Sequence, residues 1–216
     1  VNNELGTIQP IKTLCKIAHE YGALFHTDAV QAIGHMSIDV KDLGVDMLSA
    51  SAHKFNGPKG IGFLYVKKGT KLHSLIVGGG QECGFRAGTE NVASIAAMSR
   101  ALLNNITNII KIQSHLEKIE RIFYEELNRR GVSYHINSCN PKLPGIINIS
   151  FENITGESLQ IQLDIKGIYV STGSACNSRN VQISHVLKAI NLNKSFAENA
   201  IRISFGKYNT EEDAIA

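Results

Sequence analysis

Apolar positions in the first hundred residues switch repeatedly between a helical and an extended rhythm. Ile11, Leu14, Ile17 and Ala18 recur at helical spacing within residues 10–22, and Gly22 closes that segment. Ala23-Leu24-Phe25-His26-Thr27 is a short apolar run that reads as a buried strand ending at Asp28, followed by a short helix from Ala29. Asp46–Ser51 and Gly60–Val66 read as two further strands. Strands separated by helical segments predict an α/β layered sheet. In such sheets the polar residues just past the strand ends are where ligands bind.

From Asn91 to about Arg130 the rhythm is helical throughout. Leu102, Leu103, Ile106, Ile109, Ile110, Leu116, Ile119, Phe123 and Leu127 carry it, and Gly131 is a natural C-cap. Beyond it, strands are expected over Gly145–Phe151, Tyr169–Thr172 and Ile201–Phe205, with helices near Gly156–Lys166 and Ser184–Ile190. This pattern predicts a second, smaller α+β domain over residues 108–216, after a first domain over residues 1–107. The chain opens at Val1 within what reads as a strand tail. It closes on Thr210, an N-cap, followed by the acids Glu211, Glu212 and Asp213. These ends read as those of a piece of a longer protein.

Composition narrows the class without naming a chemistry. Of 216 residues, 43% are hydrophobic and 19% charged, which supports a buried core rather than a disordered or fibrous chain. The net charge of +3 does not announce a nucleic-acid binder. No apolar run is long enough to cross a bilayer. Four cysteines, Cys15, Cys83, Cys139 and Cys176, lie far apart, which suits a reducing cytoplasm better than a disulfide framework or zinc ribbon.

The stretch Ser51-Ala52-His53-Lys54-Phe55-Asn56-Gly57-Pro58-Lys59-Gly60 follows a strand end and is open to three readings. It can be a glycine-rich phosphate cradle, though not a Walker loop, because the GK[ST] ending is absent. It can hold a Schiff-base lysine beside groups that bind a cofactor phosphate, or it can be a solvated turn. On one reading Asp28, at the end of the preceding strand, can pair with a protonated pyridine nitrogen, the state that makes pyridoxal phosphate (PLP) an electron sink. Gln31 can reach the same ligand from the first turn of the helix expected after Asp28. The alternatives are that His26 and Asp28 are a core histidine and a strand-end cap, or that His26, Asp28 and His53 bind a metal.

Cys176 sits in Ser171-Thr172-Gly173-Ser174-Ala175-Cys176-Asn177-Ser178, with Arg179 nearby to favour thiolate. Small polar neighbours suit a nucleophile better than an inert buried thiol. Arg202, between Ile201 and Ile203, either lies on a solvent face or presents its fork to a carboxylate. Arg86-Ala87-Gly88-Thr89 offers an anion site. His185 and the basic residues 67–71 read as surface features.

Together, Val1–Gly6, His26–Gln31, Ser51–Gly60, Arg86–Thr89, Ser171–Ser178 and Ile201–Gly206 resemble, in order and spacing, the cysteine desulfurases of the NifS/IscS type within the class V aminotransferases. The resemblance runs through nearly the whole chain. It implies the C-terminal part of a fold type I, aspartate aminotransferase-like large domain, joined to the small domain. It further implies that Lys54 bonds PLP as a Schiff base, that Asp28 pairs with the pyridine nitrogen and that Gln31 contacts the ring oxygen. Asn3 would lie near the ring and substrate. Ser51 and His53 match phosphate contacts, and Thr89 matches one supplied across a homodimer interface. Arg202 matches the residue holding the substrate carboxylate. Cys176 matches the nucleophile that takes sulfur from L-cysteine as a persulfide, releasing L-alanine.

The Gly-Ser-Ala-Cys setting looks like the first class of these enzymes, whose persulfide passes to an iron–sulfur scaffold or a tRNA thiolation enzyme. No resident metal is implied, although Cys176 in that class can touch an iron–sulfur cluster transiently. Family members also carry a preceding stretch with part of the sheet, a phosphate loop and a ring-stacking histidine. Three alternatives stand beside this reading. They are a selenocysteine lyase, an inactive fragment acting as a binding or scaffold partner, and a cysteine hydrolase using Cys176 and His185.

Overall fold

The computed structural model describes residues 1–172 and 183–216. Two compact units divide the chain: Pro10–Ile109, and Val1–Gln9 together with Ile110–Ala216. Residues 1–9 thus group with the later unit, whereas the sequence pattern had run the first domain from residue 1.

In the unit Pro10–Ile109, helix α1 (Ile11–Glu20) ends where Gly22 takes a left-handed φ of 71°, a conformation that costs glycine little. Of its apolar residues, α1 buries Cys15 and leaves Leu14 and Ile17 exposed. Strands β1 (His26–Asp28), β2 (Met47–Ser51) and β3 (Gly62–Val66) form a sheet in that order. β1 runs parallel to β2 with Asp28 opposite Ser49, and β3 runs antiparallel to β2 with Ser51 opposite Gly62. The one-turn helix α2 (Val40–Leu43), which the apolar rhythm does not reveal, is capped by the Asp39 carboxylate and closed by Gly44.

Two expectations in this unit are corrected. The helix expected from Ala29 is a set of turns, in which the Ala32 and Ile33 N–H groups both donate to the Ala29 carbonyl. Left-handed Gly34 stops it from propagating. The long helix is two helices, α3 (Val92–Thr107) and α4 (Ile109–Arg129), interrupted at Asn108. There the Thr107 hydroxyl and Asn108 carboxamide donate to the Leu103 and Asn104 carbonyls. Such side chains compete with the backbone for the last turn.

The other unit is built on an antiparallel sheet, β4 (Tyr134–Ile136), β5 (Ile146–Phe151) and β6 (Ala200–Ser204). Ile147, Ile149 and Ile201 are buried at its centre, packed by Phe123, Tyr124 and Leu127 of α4 and by Leu159 and Leu163 of α5 (Gly156–Ile165). A second cluster joins Leu5 to Leu187 of α6 (His185–Ala189), Ala197 of α7 (Lys194–Glu198) and Ala200. The strand expected over Tyr169–Thr172 is a single bridge from Ser171 to Arg202. Helix α8 (Glu211–Ile215) begins with the expected cap, a reciprocal box between Thr210 and Asp213.

Residues 1–9 are stitched into this unit. The Asn2 carboxamide oxygen accepts the Glu4 and Leu5 N–H groups, both at 2.9 Å. The Leu143 N–H donates to Gly6 and the Ile8 N–H to Pro141.

Candidate active site

Parallel pairing of β1 and β2 brings their C-terminal ends to one edge of the sheet. Asp28 ends β1, exposed, with one carboxylate oxygen accepting the Val30 N–H at 2.9 Å. Ser51 ends β2, and its hydroxyl lies 2.8 Å from Nδ1 of His53. Lys54 follows on a 3-10 turn (Ala52–Phe55). The side chains of His53 and Lys54 are exposed, while Ala52 and Phe55 are buried on either side of them. The turn is therefore anchored by its apolar ends and presents its polar middle.

Further contacts fix the turn's backbone. His35 Nε2 is 2.8 Å from the Lys54 carbonyl, and Asn105 Nδ2 donates to the Phe55 carbonyl at 3.1 Å. The Ala52 N–H reaches the Ile61 carbonyl at 3.0 Å, tying the turn to the start of the returning strand. Two glycines let the chain come this close. A Cβ on Gly34 would stand 2.7 Å from the Phe55 Cβ, and one on Gly62 would stand 2.4 Å from the Ala50 carbonyl oxygen.

Gln31 is half-buried in the turns after β1, not on a helix. Thr89 is exposed in the irregular segment before α3, and Arg86 spends one guanidinium N–H on the Ala87 carbonyl (2.8 Å). His26 is exposed and so is no core histidine. Among the described residues no group of three or more His, Cys, Asp or Glu could hold a metal ion, the trio His26, Asp28 and His53 included.

In the other unit, Arg202 is half-buried on β6. Its Nη1 donates to the Asn3 carbonyl at 3.0 Å, and its Nη2 lies 3.4 Å from the Ser171 hydroxyl. Arg202 thus does not lie on a solvent face. Cys176 falls outside the described residues. Of the other cysteines, Cys83 and Cys139 are exposed and Cys15 is buried. Burial pushes the Cys15 thiol above its ordinary pKa, and the Asp46 charge adds to the effect.

Residues 1–216 match the family model for aminotransferase class V. The chain belongs to that family. It is 50% identical over 213 residues to a cysteine desulfurase IscS from Dictyoglomus turgidum, covering 98% of this chain and 54% of that protein. A solved NifS-like protein matches with a TM-score of 0.88 at 41% identity, covering 99% of this chain and 56% of the other. SspA in complex with cysteine matches with a TM-score of 0.78 at 36% identity, covering 97% and 58%. The chain spans about half the length of the relatives it matches. Its fold is the α/β fold of the NifS-like proteins. No helix among the described residues is long and apolar enough to cross a membrane.

Three residues of this class V chain escaped the sequence reading. His35 and Asn105 support the lysine turn, and Asn148 lies fully buried in β5. Asn148 had a signal, as a single polar residue inside the apolar run Ile146 to Ile149, whereas Asn105 stands next to Asn104 and is not singled out in that way. A buried polar residue needs partners, and that requirement marks it out. His35 carried none.

Proposed function

We propose that this chain is part of a PLP-dependent cysteine desulfurase, which transfers sulfur from L-cysteine to Cys176 and releases L-alanine. The observation that carries the proposal is the single sheet edge where Asp28 ends one strand and Ser51, His53 and Lys54 follow its parallel neighbour. The cysteine desulfurase names of its relatives and the cysteine complex of SspA support it.

The donor set fits the cofactor. PLP needs an amine for its aldehyde, an anion for its pyridine N–H and donors for its phosphate. Lys54, Asp28, and Ser51 with His53 offer these from exposed or half-buried positions. Gln31 is assigned to the ring oxygen, Asn3 to the ring and substrate, and Thr89 to the phosphate of the other subunit in a homodimer. When bound, PLP supplies the electron sink that acidifies the substrate Cα–H.

The chain's own residues carry the remaining work. Arg202 holds the substrate carboxylate through its planar fork. The Lys54 amine takes the Cα proton and can return it. The Cys176 thiolate attacks the substrate sulfur, so an S–S bond forms as the Cβ–S bond breaks. The bonding pair stays on carbon, which is protonated to give the methyl group of L-alanine, and the protein keeps a persulfide. That persulfide passes to an acceptor protein, an iron–sulfur scaffold or a tRNA thiolation enzyme, in the cytoplasm. On this reading Pro10–Ile109 belongs to the large PLP-binding domain, and the other unit is the small domain carrying Cys176.

The test uses the full-length protein. Borohydride treatment with PLP should fix the cofactor on the peptide containing Lys54, and Lys54→Ala should lose both that adduct and alanine formation. Cys176→Ala should keep the adduct and lose the persulfide. An adduct elsewhere, or no alanine from L-cysteine, overturns the reading.

A further inference from the structure

Arg202 on β6 and Asn148 on β5 stand directly opposite each other in an antiparallel pair. Opposed residues send their side chains from the same face of a sheet. Here both side chains reach one short segment. Arg202 Nη1 donates to the Asn3 carbonyl at 3.0 Å, and Asn148 Nδ2 donates to the carbonyl of the next residue, Glu4, at 3.3 Å. Two cross-strand neighbours therefore grip two successive carbonyls of the segment. The Asn2 carboxamide holds the same segment from its other side, through the N–H groups of Glu4 and Leu5.

Asn148 is itself held on every polar group. Its Oδ1 accepts from Asn137 Nδ2 at 2.8 Å, its N–H donates to the Ser138 hydroxyl at 3.0 Å, and its carbonyl accepts the Asn137 N–H at 2.9 Å. The network then runs away from Arg202: Asn137 Nδ2 also donates to the Ser150 hydroxyl at 2.8 Å, which donates to the Phe196 carbonyl at 2.7 Å. Asn148, Asn137 and Ser150 are all buried. A buried carboxamide in a strand of isoleucines costs desolvation that an apolar residue would avoid. What that cost secures is a fixed position for Glu4, and through it for the Asn3 carbonyl.

We propose that Asn148 is a positioning residue: it fixes the Asn3–Glu4 backbone so that the Asn3 carbonyl orients the Arg202 guanidinium toward the substrate carboxylate. This rests on the reading of Arg202 as the carboxylate-binding residue. Asn148 does not touch substrate. Its influence is felt because carboxylate recognition by a guanidinium depends on the orientation of a planar fork.

The experiment compares the full-length holoenzyme with Asn148→Ala, Asn148→Ser and Ser150→Ala, by L-cysteine kinetics and by hydrogen exchange over residues 2–6. Ser150→Ala cuts the same network at the end remote from Arg202 and serves as the structural control. Serine at 148 still offers Asn137 a hydroxyl but is too short to reach Glu4, so it remains informative where alanine fails to fold. The expected result is a KM for L-cysteine raised about tenfold in the Asn148 variants, with kcat within about twofold. Their exchange over 2–6 is faster, while Ser150→Ala loses stability but keeps the wild-type KM and exchange. An unchanged KM in Asn148→Ser, or the same kinetic change in Ser150→Ala, overturns the positioning role. Absence of L-cysteine turnover in the wild type instead overturns the desulfurase reading beneath it.

Discussion

His35 Nε2 lies 2.8 Å from the carbonyl oxygen of Lys54, so the main chain of this lysine is held while its side chain stays exposed. Asn105, buried in α3, does the same for the Phe55 carbonyl one residue on. Removing these donors should differ in cost. Asn105→Ala strands a buried carbonyl and should destabilise by about 1–3 kcal/mol, whereas His35→Ala opens a more accessible contact and should cost about 1 kcal/mol. Urea unfolding of each variant checks the order. A larger loss in His35→Ala would show that the imidazole anchors more than the turn.

Gly62 faces Ser51 across β2 and β3 and leaves no room for a side chain, since a Cβ would meet the Ala50 carbonyl oxygen at 2.4 Å. That contact is with backbone, so relief requires the two strands to separate beside the lysine turn. Gly62→Ala should destabilise by about 1–3 kcal/mol, the range for overpacking, and, on the proposed PLP-binding role of Lys54, should weaken cofactor retention. Gly60, left-handed with a φ of 79° but with open space around its Cβ position, is the comparison. Its alanine variant pays for conformation alone. Urea midpoints and the amount of PLP retained through gel filtration separate the two.

The grouping of polar residues at the sheet edge was legible in the sequence because it is local. Asp28, Ser51, His53 and Lys54 lie within a few residues of strand ends that apolar runs mark out, and parallel strands bring such ends together. Elements fixed by turn chemistry or by distant partners were harder to read. The turns after Ala29 owe their form to Gly34, whose neighbour Phe55 is distant in sequence. β4 is only three residues long and earns its place by pairing with β5 and by stacking Tyr134 on Tyr124 of α4. The break at Asn108 depends on side chains bonding back to the preceding turn, which apolar periodicity does not register.

Asp46 accepts the Phe25 N–H at 2.8 Å and His19 Nε2 at 2.7 Å, with Lys67 at 3.8 Å and the Cys15 thiol close to the same imidazole. The backbone hydrogen bond, then His19, holds its carboxyl below the usual carboxylate range. A carboxylate with a lowered folded pKa stabilises fully above its unfolded value, near 3.9, and loses that contribution as pH falls through the folded value. Asp46→Asn should therefore be less stable than wild type at pH 7, and the gap should close as pH drops toward 3. Urea midpoints across that range decide it, and a gap that stays constant with pH would assign the loss to shape alone. The same cluster should keep Cys15 protonated, so in the folded chain it should alkylate after exposed Cys83 and Cys139.

Glu120 of α4 and Lys142 form a nearly buried pair, with Lys142 Nζ 2.7 and 2.6 Å from the two carboxylate oxygens. Glu120 also accepts the Gly145 N–H, just before β5 begins, and Lys142 Nζ reaches the Ile146 carbonyl at 3.3 Å. The two halves of such a pair are not equivalent to lose. Glu120→Ala leaves a buried ammonium and an unsatisfied amide, so it should cost about 3–5 kcal/mol. Exchanging the pair for apolar residues, Glu120→Leu with Lys142→Met, removes both charges and should recover much of that loss, although the Gly145 amide remains unserved. A double-mutant cycle of Glu120→Leu and Lys142→Met followed by urea unfolding tests this. If the double variant is as unstable as the sum of the singles, the two side chains are not coupled. If it is more stable than the Glu120→Leu single, the cost lies in the stranded charge.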